Sequence, residues 1–235
     1  MTHLTSSKSV DPVRSAPTTL AQLRAHVIEA TRQEPAMTRA QRSKHQRWVL
    51  LVAVLVSALV FIALGGVRVG PRPGKLVLET ALGSAVLAIA VAVIALGRGR
   101  SMLARPRSLL LPVVFLTPTV LLGWRVLTSS RYPNMMVEWA GRPGLRCFSL
   151  SCALAVLPLL GVLWLRRGSD PVHPRSSAAA AGAAVGASAW VLVDLWCPVG
   201  YVPHLLLGHV VPLVLVIAFS ALFGSRILAL DRFSR

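Results

Sequence analysis

Apolar residues along this chain follow neither a helical stripe nor a strand alternation. They come in six long, predominantly apolar runs, at 48–66, 76–96, 109–127, 145–165, 177–196 and 202–223. Each is close to the roughly 20 residues that a helix rising about 1.5 Å per residue needs to cross about 30 Å of hydrocarbon. The first reads WVLLVAVLVSALVFIALGG, with one serine as its only polar side chain, so no face is left for water. The pattern predicts an all-α fold: a polytopic six-transmembrane-helix bundle over 48–223, a cytoplasmic arm at 1–47 and a short tail at 224–235. Short connections between consecutive runs favour up-and-down packing of antiparallel neighbours.

Composition agrees, with 54% hydrophobic and 14% charged residues, values that belong to membrane proteins. A net charge of +17 would point to nucleic acid in a soluble protein. Here the basic residues sit in the tails and between the runs, so they report topology, and no direct nucleic-acid contact is expected. No secretory leader is read, because a polar stretch precedes the first run. With the amino terminus inside, eighteen Lys and Arg fall on the inner side, among them Arg39, Arg42, Lys44 and Arg47 at the membrane boundary. The outer connections keep Arg68, Arg72, Lys75, Arg131 and Arg142, while Arg125 and Arg146 lie at the outer ends of the third and fourth spans. This asymmetry places both termini in the cytoplasm.

On that topology, Glu79, Arg125, Cys147, Asp194, Cys197, His204 and His209 all fall in the outer half of the bundle. Ionisable groups in hydrocarbon are tolerated where they pair, face the bundle interior or meet water. An outward-opening polar pocket is one reading; snorkelling of Glu79 and Arg125 to the interface is the other. Cys147 and Cys197 close the outer ends of the fourth and fifth spans, where an oxidising compartment permits a disulfide, so they are candidate redox sensors. Cys152, about five residues deeper, reads as a small buried residue. A metal site built from Cys147, Cys197, Asp194, His204 and His209 competes with this. Residues five apart on an α-helix diverge by about 140°, which separates His204 from His209, and neither metal nor cofactor is expected. In the fifth run, AAAAGAAVGASA carries Gly182 and Gly186 as a GxxxG pair suited to close helix packing. Pro112, Pro118, Pro158 and Pro212 lie inside spans, where proline kinks helices.

No phosphate-cradling glycine loop, HExxH or CxxC occurs, and Ser84 and Ser188 lack the flanking glycines of a nucleophile elbow. An enzyme is therefore not expected. A small transporter or channel lined by Glu79, Asp194, His204 and His209 is the rival reading, although paired interrupted helices, its expected mark, are not visible. In the arm, Thr18 and Thr19 can cap a helix over about 18–33 whose Leu20, Leu23, Val27 and Ile28 form a narrow apolar stripe. So short a helix is marginal alone in water. It should fold against a groove of a cytoplasmic protein or lie on the anionic inner leaflet.

From Cys147 the chain reads CFSLSCALAVLPLLGVLWLRRGSDPVHPRSSAAAAGAAVGASAWVLVDLWCPVGYVPHLLLGHVVP. A cysteine opens the fourth span, Pro158 lies within it, a basic Pro-containing connection follows at 166–174, and Gly182 and Gly186 mark a small-residue span that Cys197 closes. This layout resembles the NrsF type of six-span bacterial inner-membrane proteins, anti-sigma factors for extracytoplasmic-function (ECF) sigma factors. The resemblance implies a negative regulator of transcription that holds an ECF sigma factor at the membrane through its arm. A redox, metal or light-related signal would release it. Where the family often continues toward an aromatic-rich outer end of span six, this chain has GYVPHLLLGH.

Overall fold

A computed structural model of the protein describes residues 39–67, 72–96, 106–135, 144–167 and 172–228. The expected arm helix, with Leu20, Leu23, Val27 and Ile28, lies outside the described residues, as does the chain from 229 onward. The described residues are helical, without strands.

Helix α1 spans Arg39–Ala63. It begins ahead of the apolar run, since RAQRSKHQR contains neither Pro nor Gly to stop a helix propagating back from the span. Helices α2 (Gly74–Leu96), α3 (Arg107–Ser129), α4 (Leu145–Leu165) and α5 (Pro174–Trp196) follow. Pro174 stands at the start of α5, where its missing N–H would have had no partner. The last span, α6, covers Val202–Leu228 and is α-helical except for two wider π-helical turns at Leu206–Val210 and Ser220–Gly224. Helices α2 to α6 are each long and apolar enough to cross a bilayer, and the apolar part of α1, Leu51–Ala63, is shorter.

Helix α5 is the axis of the bundle. Its most apolar stretch is 78% buried, against 22–39% for the other four long apolar helices, and it touches α2, α3, α4 and α6. The cause is side-chain size: Ala and Gly let neighbouring backbones come close on every side. On one side Leu150, Leu154, Leu159 and Val162 pack with Ala178, Ala181 and Val185. On the other, Ala88, Val91, Leu110 and Leu121 pack with Ala180, Ala184 and Ala187. Gly182 and Gly186 lie against α6: a methyl group at 182 would stand 2.8 Å from Cβ of Ser220, and one at 186 would stand 2.3 Å from a methyl of Leu213. Large apolar residues such as Leu82, Val86, Phe115 and Leu222 point outward, the arrangement that lipid, rather than water, accommodates.

Polar contacts at the two ends of the bundle agree with an up-and-down order, in which alternate helices run the same way. At one end the Arg166 guanidinium, just past α4, donates to the carbonyls of Ala95 (3.0 Å) and Leu96 (2.8 Å), which close α2. Terminal carbonyls have no partner within their own helix, and a cation there also opposes the negative end of the helix dipole. The opposite end gathers the chemistry.

Candidate functional site

At that opposite end the start of α4, the end of α5 and the start of α6 converge. Cys147 opens α4, Cys197 caps α5, and His204 lies in the first turn of α6. Nε2 of His204 stands 3.4 Å from Sγ of Cys147 and 3.2 Å from Sγ of Cys197. His209 completes the group, and one ligand atom from each of the four residues lies within 4.8 Å of the others. All four are buried, at 3% exposure for Cys147, 1% for Cys197, 6% for His204 and 2% for His209. No disulfide joins the two cysteines.

The expectation that His204 and His209 point apart assumed α-helical pitch, and this is where the structure departs from it. The ring centroids are 6.1 Å apart. Between them the chain runs through the π-helical turn Leu206–Val210, in which the N–H of Val211 donates to the carbonyl of Leu206. With more residues per turn, positions five apart come back toward one face. Pro212 supplies the local reason: it has no N–H for the carbonyl of Gly208, and its ring crowds that carbonyl, so the ordinary ladder cannot continue. The Ser151 hydroxyl from α4 donates to the Gly208 carbonyl instead (3.3 Å). Gly208 also admits α4 closely, since a Cβ there would lie 3.0 Å from both Cβ of Cys147 and the carbonyl of Gly144. Gly144, with φ +87°, adopts the left-handed turn that leads into α4. Trp190 of α5 packs edge-on against the His209 ring, with centroids 5.1 Å apart.

Beside this cluster lies a buried ion pair. Nε of Arg125 stands 3.0 Å from Oδ1 of Asp194, with the two side chains 2% and 1% exposed. Arg125 also donates to the carbonyl of Val199 (3.4 Å). It therefore does not snorkel. Arg72, which the sequence reading treated only as an outer basic residue, is buried and donates to the carbonyls of Asp194 (2.9 Å) and Leu195 (2.7 Å), closing the end of α5. The signal that could have found it is its sign: a basic residue in a short outer connection runs against the charge bias of the rest of the chain.

The polar residues expected in the outer half thus do not form a single group. Arg125 joins Asp194, and His204 joins His209 and the two thiols. Glu79 stands apart, pairing with Arg131 (3.5 Å) and Lys75 (4.0 Å) at a more exposed edge. Cys152 is half-buried and outside the cluster. An apolar cavity of about 360 Å³ lies elsewhere, between Ala53 and Ser57 of α1, Ala88 of α2, Gly161 of α4 and Ser188 of α5.

Neither a curated protein nor a solved structure matches the chain. The family model for NrsF, described as negative regulator of sigma F, matches residues 30–229. That match takes in every described helix from α1 to α6, together with all four residues of the thiol and imidazole cluster. The chain belongs to the NrsF family of negative regulators of a sigma factor.

Proposed function

We propose that this protein is a bacterial inner-membrane anti-sigma factor that sequesters an ECF sigma factor through its amino-terminal arm and releases it when a signal acts on the Cys147/Cys197 end of the bundle. The observation that carries this reading is the family match over 30–229. Both termini lie in the cytoplasm, as the distribution of Lys and Arg favours. Leu20, Leu23, Val27 and Ile28 form the sigma-contacting stripe, a helix-in-groove mode in which an amphipathic segment folds on its partner. Two thiols brought together around one imidazole nitrogen can be oxidised to a disulfide, which suits them to receive a redox signal. The route to the arm runs through α1: indole Nε1 of Trp196, next to Cys197, donates to the carbonyl of Leu64 just past the end of α1 (3.2 Å). For release, the signal must favour one helix arrangement over another, because a ligand or modification that treats both alike shifts nothing.

Affinity capture from membranes tests it. The full chain should retain a sigma factor, identified by mass spectrometry, and a chain lacking residues 1–40 should lose it. Recovery of no sigma factor with the full chain, or equal recovery with both, overturns the assignment.

A further inference from the structure

We propose that Cys147, Cys197, His204 and His209 form a four-ligand site for a thiophilic divalent cation, of which Zn²⁺ is the type. His209 is the observation that demands it. The ring is 2% exposed, yet neither Nδ1 nor Nε2 meets a hydrogen-bonding partner from the protein. Buried side-chain nitrogens nearly always have one. A ring nitrogen of this residue lies within 4.8 Å of both sulfurs and of a His204 nitrogen, in the place a fourth ligand would take.

The remaining geometry fits coordination. For Zn–S near 2.3 Å and Zn–N near 2.0–2.1 Å, a tetrahedral site has S···N edges of about 3.5 Å. The two S···N separations at His204 are 3.4 and 3.2 Å. A single imidazole nitrogen offers one lone pair or one N–H, whereas a cation between the three atoms is met by all of them at once. Two sulfurs and two imidazoles select a borderline-soft metal such as Zn²⁺ over Mg²⁺ or Ca²⁺, which take oxygen ligands. The nearby carboxylate of Asp194 is already held by Arg125. Charge also balances: on binding, each thiol gives up its proton to solvent, and two thiolates neutralise the dication, so no net charge is added to a buried site. A void of about 10 Å³ beside His209, lined also by Ser151, Trp190 and Pro212, is at the lower limit for one water. Such a water would serve one ring nitrogen and leave the other.

Cation binding itself does not require the sigma factor; only its role in release rests on the reading given above. The test uses the full-length protein purified from membranes in mild detergent, loaded with Zn²⁺ or Co²⁺ and desalted. Elemental analysis should find an equimolar cation, and the Co²⁺ form should show a thiolate-to-metal charge-transfer band. Replacing Cys147 and Cys197 together by serine should abolish both signals, and H209A should weaken binding at least about tenfold. C152S should retain both. As a check independent of folding in the variants, Zn²⁺ should slow maleimide alkylation of Cys147 and Cys197 in the unmutated chain and leave Cys152 unaffected. Failure to retain cation, cobalt bound without the charge-transfer band, retention in the double serine variant, or unchanged alkylation overturns the site. Metal content and sigma-factor capture are separate readouts, so the loss of one leaves the other standing.

Discussion

Asp194 shows how far one residue's surroundings decide its role. Its carboxylate is enclosed with Arg125 at 3.0 Å and 1% exposure, and its backbone carbonyl accepts from Arg72. Removing one partner of a buried pair leaves an uncompensated charge and costs about 3–5 kcal/mol, whereas replacing both by apolar groups is often neutral. Asp194→Asn should therefore lower the unfolding midpoint of the detergent-solubilised protein sharply, and adding Arg125→Met should recover most of the loss. Equal midpoints for the single variant and the natural chain would show that the pair carries no stability. That Asp194 and Arg125 lie near the ends of their spans was legible from the sequence. Their pairing was not, because the contact joins α3 to α5 across 69 positions of sequence and depends on helix rotation.

At the scale of the element, α5 and α6 show opposite limits of sequence reading. The small-residue character of α5 was visible as a string of alanines with Gly182 and Gly186. Its consequence is steric: a Cβ at 182 would lie 2.8 Å from Cβ of Ser220 and 3.0 Å from Cα of Ile217, a backbone atom with little room to move. Gly182→Ala gains about 1 kcal/mol in helix propensity, but over-packing of this kind costs about 1–3 kcal/mol. The expected net result is a lower unfolding midpoint. Gly123→Ala in α3, where a Cβ meets nothing within 4 Å, should be neutral or stabilising in the same assay; destabilisation at both positions alike would remove the steric account. In α6 the sequence displayed Pro212 and two histidines five apart, and the assumption of uniform α-helical pitch separated them. The π-helical turn that reunites them arises from the proline, the Gly208 carbonyl and a Ser151 hydroxyl donated by another helix.

For the whole molecule, the proposed orientation rests on the eighteen Lys and Arg that it assigns to the inner side against seven elsewhere. Epitope tags before Met1 and after Arg235 should both be hidden from antibody on intact spheroplasts and exposed on lysis. A tag placed between residues 136 and 143 should behave oppositely, and surface labelling of either terminus would reverse the topology. The chain by itself determined the all-α class and its succession of apolar helices. These follow from a local requirement: in hydrocarbon every backbone N–H and C=O must be satisfied within its own segment. The resemblance from Cys147 onward pointed to the family in the same local way, through the order of cysteine, proline and small residues along the chain. Only the tertiary structure decided which polar groups meet. Helix rotation, the widening of α6 and the close approach permitted by Gly208 depend on side chains from different helices, and no periodicity within a single span encodes a contact between two.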